Sequence, residues 1–179
     1  MPENDKPDAV DRMVDAYDRM LKATHDAVAA AQKEAVPRMR EILDKARDQM
    51  VEFGELTREE GAKVADYLER DIEDAASYIA STGEDLRAWW QFDLKLMEKR
   101  MLDMFTSVAD QTSVQLREWA EQARQSPAYR TGEITGPGSL ICEGCGEGLT
   151  FVKAGRIPAC PKCGGTGFKR ETGPAEPEA

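Results

Sequence analysis

Apolar residues return at alternating steps of three and four over most of the first 125 positions, the period of an amphipathic helix. Val10, Val14, Tyr17, Leu21, Thr24, Val28, Ala31 and Ala35 fall on one face, with Asp11, Asp18 and Lys22 on the other. Pro37 interrupts this run, because proline lacks an N–H and disfavours helical geometry at Val36. The rhythm resumes through Met39, Ile42, Leu43, Ala46, Met50 and Phe53, and Gly54 is a stop signal. Thr57-Arg58-Glu59-Glu60 has the T-x-x-E form of a capping box, in which hydroxyl and carboxylate satisfy each other's backbone N–H. It opens a stripe of Ala65, Leu68, Ile72, Ala75 and Ile79. Beyond Ser81-Thr82-Gly83 a last stripe runs from Leu86 through Trp90, Met97, Phe105 and Leu116 to Ala123 without a proline. The pattern predicts helices over 7–35, 37–54, 57–81 and 84–125, the last roughly 60 Å long at 1.5 Å per residue. The expected fold is mainly α. It is an elongated antiparallel helical bundle or coiled-coil hairpin over 7–127, followed by a small antiparallel β module.

The texture changes after Ser126-Pro127. Glycine becomes dense, and short apolar runs at Ser139–Ile141, Leu149–Val152 and Arg156–Ala159 read as strands between turns. Glu133–Thr135 and Gly167–Arg170 are further strand candidates, so the module spans 131–170. Residues 1–6 and 171–179 are expected to be disordered tails, the second too polar and proline-rich to fold alone.

All four cysteines lie in this module, at Cys142, Cys145, Cys160 and Cys163, spaced C-x₂-C-x₁₄-C-x₂-C. Two CxxC pairs across a turn-rich stretch suit a tetrahedral site for one structural zinc ion. Two intervening residues let one tight turn aim two sulfurs at one point. Gly146 and Gly164, after the second cysteine of each pair, admit the positive φ that such a turn needs. A thioredoxin-type dithiol expects a βαβ setting that is not visible, and an iron centre on the same ligands stays open. Four thiolates would close the coordination sphere against water or substrate.

Charge narrows the partners. The chain carries a formal net charge of −10, of which −9 lies in residues 1–130. Residues 131–170 are formally +2, and a zinc ion with four thiolates adds −2, so the ribbon would be near neutral. Nucleic acid is therefore disfavoured as a partner; Phe151 and Phe168 read first as filling the ribbon core, with stacking on a base as the alternative. Cysteine usage without a basic–apolar leader points to the cytoplasm, and no run of apolar residues is long enough to span a membrane.

The remaining candidates read as structural. Trp89-Trp90 suits bundle packing or an exposed anchor, and Met97, Met101 and Met104 suit a core. His25 stands alone as a surface residue, and a single histidine cannot build the E-x-x-H pairs of a di-iron bundle. Asp71, Glu73 and Asp74 read as a solvated helix face rather than an acid–base site. No catalytic constellation emerges, so the expectation is a non-enzymatic protein whose helices self-associate or bind a protein partner.

Gly54-Glu55-Leu56-Thr57-Arg58-Glu59, Gly132-Glu133, Gly138-Ser139-Leu140-Ile141-Cys142-Glu143-Gly144-Cys145 and Cys160-Pro161-Lys162-Cys163-Gly164 occur in that order, with Phe168 to Arg170 behind them. This arrangement resembles an uncharacterised bacterial family of zinc ribbon-containing proteins, which join a long helical N-terminal region to a four-cysteine ribbon. The resemblance runs from about Gly54 to Arg170. It implies zinc binding at the four cysteines and no settled activity.

Overall fold

The computed structural model describes residues 8–30, 39–82, 103–104, 106–110, 112 and 128–170. Three long helices come first: α1 (Ala9–Ala30), α2 (Met39–Glu52) and α3 (Arg58–Thr82). The described residues between 103 and 112 are also helical. The expectations placed on Ala31, Ala35, Pro37, Trp89-Trp90 and most of 84–125 lie outside the described residues.

Local chemistry sets the α2–α3 corner. The Gly54 N–H donates to the Val51 carbonyl and the Glu55 N–H to that of Met50, which ends α2. Three residues on, the capping box forms as the sequence predicts. The Glu60 N–H donates to Thr57 Oγ1 at 3.2 Å, and the Thr57 N–H donates to Glu60 Oε2 at 2.9 Å.

The helices close on one apolar core. Tyr17, Met20, Leu21 and Val28 of α1 meet Ile42, Leu43, Ala46 and Met50 of α2 and Val64, Ala65, Leu68, Ile72 and Ala75 of α3. Val108 and Ala109 join them. Where their side chains are described, the predicted stripes of α1, α2 and α3 face inward, with one exception; that of Ile79 lies outside the described residues. Phe53 is 73% exposed, because the chain has already turned out of helical geometry there.

Residues 129–170 are built of short antiparallel strands: β1 (Tyr129–Arg130), β2 (Ile134–Thr135), β3 (Gly138–Cys142), β4 (Gly148–Phe151), β5 (Gly155–Arg156) and β6 (Gly167–Arg170). One sheet has the order β1-β6-β3-β4, and β2 pairs with β5. Gly167–Arg170 thus lies inside the four-stranded sheet, between β1 and β3, and the two-residue β1 had no readable signal. In register, Tyr129 faces Phe168 and Phe168 faces Cys142, so these three form one row across β1, β6 and β3. They belong to a second core with Leu140, Ile157 and Cys160, against which Phe151 is partly buried.

The helices and the strand region share a boundary layer. Ile134 and Ala154 of the strand region belong to the helical core, and α3 and α1 pack against β2.

Candidate metal centre and the network behind it

Each CxxC pair sits in the same turn. In the first, between β3 and β4, the Gly146 N–H donates to the Cys142 carbonyl at 2.9 Å, and Gly146 has φ of 73°. In the second, before β6, the Gly164 N–H donates to the Cys160 carbonyl at 2.8 Å, and Gly164 has φ of 72°. This is the left-handed backbone that the sequence predicts for both glycines, and a side chain at either would be strained. The Gly165 N–H reaches Cys163 Sγ at 3.4 Å.

The turns bring all four sulfurs within 4.8 Å of one another. Cys142 Sγ lies 3.6 Å from Cys163 Sγ, and Cys145 Sγ lies 3.6 Å from Cys160 Sγ. A tetrahedron with metal–sulfur bonds of about 2.3 Å has edges of about 3.8 Å, so these separations fit one tetrahedral ion. They are far too long for disulfide bonds, and all four cysteines are free.

The donor set also suits a divalent ion electrostatically. Burial opposes charge on Cys160, yet N–H donors from Cys163 and Lys162 and the nearby thiols bring its pKa down to about 7. A hydrogen bond to the Glu147 backbone favours the Cys145 thiolate, but bonds with the thiols of Cys163, Cys160 and Cys142 push it up to about 12. Thiols this close must share protons unless a cation offsets their charge.

Behind this site, against α3, lies a buried polar network. Asp71 is fully buried, Asp74 nearly so, and the Arg170 side chain is 2% exposed. This corrects the reading of Asp71 and Asp74 as a solvated face, and only Glu73 of the three points to water. Asp71 Oδ2 accepts from Tyr17 Oη at 2.7 Å, Thr135 Oγ1 at 3.2 Å and the Gly136 N–H at 2.6 Å. Its Oδ1 faces Arg70 Nε at 3.3 Å and Arg170 Nη2 at 3.4 Å. Asp74 Oδ2 accepts from Tyr129 Oη at 3.0 Å and pairs with Arg170 Nε at 3.4 Å. Arg170 also donates to Tyr129 Oη, Thr135 Oγ1 and the Pro137 carbonyl. Arg70 donates to the Ile134 carbonyl at 3.0 Å, pairs with Glu133 and stacks 4.0 Å from the Tyr129 ring centre.

Burial and charge shape this network together. Burial lifts the Asp74 carboxyl above its ordinary range, and Arg170 and the Tyr129 hydroxyl pull against that rise. Burial lifts Tyr17 well above 10, and the adjacent Asp71 adds to it. Tyr129 is raised likewise by burial, with Arg170 opposing. Burial works against the Arg170 charge, but Tyr129, Asp71 and Asp74 more than offset it and hold its pKa above the ordinary value.

The sequence reading singled out the four cysteines and passed over this network. One signal was available. Asp71 falls three residues after Leu68 and four before Ala75, on the apolar stripe of α3, where an unpartnered carboxylate would be costly. Arg170 gives no comparable sign, since a cation ending a strand ordinarily faces water.

The comparisons agree with this architecture. The uncharacterized protein YbeL of Escherichia coli, in strains K12 and O157:H7 alike, is 29% identical over 137 residues, which is 76% of this chain and 82% of the relative. No solved structure matches. No described helix is long and apolar enough to cross a membrane. A model of the zinc-ribbon containing domain matches residues 26–172, across α2, α3 and both cysteine turns, and the chain belongs to that family.

Proposed function

We propose that the chain binds one structural zinc ion through Cys142, Cys145, Cys160 and Cys163, and acts as a non-enzymatic interaction or scaffold protein in the cytoplasm. The observation that carries the zinc reading is the clustering of four free thiols within 4.8 Å, in two turns of matching geometry. Four thiolates fill a tetrahedral shell, which suits a structural ion rather than one that must admit substrate. The scaffold reading draws support from the long amphipathic helices and from a ribbon docked firmly on them, a rigid surface for a protein partner or a second copy.

Metal analysis of purified protein tests the first part, with about one zinc per chain expected and a metal-free, ordered ribbon contradicting it. Light scattering together with affinity purification from the native host tests the second. Self-association or a reproducible protein partner is expected; a monomer that recovers nothing contradicts it. A second reading, nucleic-acid contact by the ribbon, is favoured by the exposure of Arg130, Lys153, Arg156, Lys162 and Lys169. Salt-sensitive retardation of nucleic acid by the full chain would support it, and absence of binding at low salt would dispose of it.

A further inference from the structure

The two strands that end in or lead away from the cysteine turns are held at their other ends by α3. β3 runs from Gly138 to the ligand candidate Cys142. The residues just before it, Thr135, Gly136 and Pro137, are bonded to Asp71 and Arg170. β6 leaves the second turn and ends at Arg170, which faces both Asp71 and Asp74. A more direct link crosses the sheet. Cys142, Phe168 and Tyr129 stand side by side in one buried row. The Tyr129 hydroxyl donates to Asp74, and Arg70 lies on the Tyr129 ring.

We infer that Asp71, Tyr129 and Arg170 are positioning residues for the metal site: docking of the ribbon on α3 sets the strands that aim Cys142 and Cys163. This inference depends on the zinc reading above. The influence runs through strand position: Arg170 pairs across the sheet with Leu140, two residues before Cys142, and Asp71 holds Gly136, six residues before it. Tyr129→Phe tests this without changing any charge. Tyr129 is two strands away from Cys142, about 10 Å, with the Phe168 ring packed between them. A ribbon detached from α3 would have to order these strands at the moment of binding, so its affinity for the ion falls. Linkage makes the effect reciprocal, and loss of the ion loosens the docking.

The test measures zinc affinity of the full chain by competition with a chelating dye, and cobalt(II) absorption as a second probe of the thiolate shell. Asp71→Asn and Tyr129→Phe are compared with wild type at a temperature where helical circular dichroism is unchanged. Thr57→Ala, which weakens α3 at its far end, controls for general destabilisation. Both network variants are expected to bind zinc about tenfold more weakly, within the usual span of coupling between sites, while Thr57→Ala binds as wild type does. If Asp71→Asn loses its helices, Tyr129→Phe decides alone, because it keeps the ring in the core and removes only the hydroxyl. Wild-type affinity in Tyr129→Phe, or an equal loss in Thr57→Ala, overturns this inference and leaves the zinc reading standing. A wild-type chain that takes up neither metal overturns the zinc reading and this inference with it.

Discussion

Replacing Arg170 with methionine tests how the ribbon is held to the helices. Methionine keeps much of the length and apolar volume of the side chain but removes its charge and donors. Asp71 retains Tyr17, Thr135, the Gly136 N–H and Arg70, so its loss is partial. Asp74 keeps only the Tyr129 hydroxyl among the partners described above, and its charge is left buried without a cation. Breaking a buried pair in this way costs about 3–5 kcal/mol, against about 0–1 kcal/mol for a pair in water. For a chain of this size, about 4 kcal/mol corresponds to a fall in Tm of roughly 8–16 °C. The assay is urea and thermal unfolding followed by circular dichroism, with zinc in excess. A second variant separates charge from packing. Adding Asp74→Asn to Arg170→Met removes the stranded charge and is expected to recover part of the loss. A loss under about 1 kcal/mol for Arg170→Met would place this arginine in water and refute the buried network.

Three further outcomes follow from the same geometry. Gly136→Ala would set its new methyl group 2.7 Å from the buried Tyr17 hydroxyl, so unfolding assays should show a loss of about 1–3 kcal/mol; wild-type stability would mean that α1 and β2 are not so close. Thr57→Ala removes one half of the capping box and should cost about 1 kcal/mol in the same assay, with no change pointing to an unformed cap. Tyr17 and Tyr129 are held above the ordinary tyrosine value, so the fold keeps their protons longer than the unfolded chain does, and stability falls as pH rises past 10. Ultraviolet titration at pH 11 should therefore leave at least two of the four tyrosines un-ionised until urea is added, whereas full ionisation of the native protein would contradict their burial.

Much of the local structure was legible because it is written in short-range chemistry. The capping box, the Gly54 stop and the paired glycines of the cysteine turns each depend on residues within five positions of one another. The inward stripes of α1, α2 and α3 were readable for the same reason, since a 3.6-residue period is a local signal. Phe53 was misplaced because the stripe was extended one position past the end of its helix. The docking network was not legible. Its members come from α1, α3, β1, β2 and β6, and the partners of Asp71 lie up to 99 residues away, at Arg170. A carboxylate three residues from another on a charged helix looks like solvated surface until the arginine that neutralises it is in view. The cysteine spacing, by contrast, carried its chemistry unaided, because the geometry of each half-site is contained in one turn.

X-ray absorption at the zinc edge of the purified, reduced protein tests the central claim most directly. Four sulfur neighbours at about 2.3 Å, with no nitrogen or oxygen in the first shell, are expected. A shell containing nitrogen or oxygen, or a preparation without zinc whose ribbon is nonetheless ordered, would contradict it.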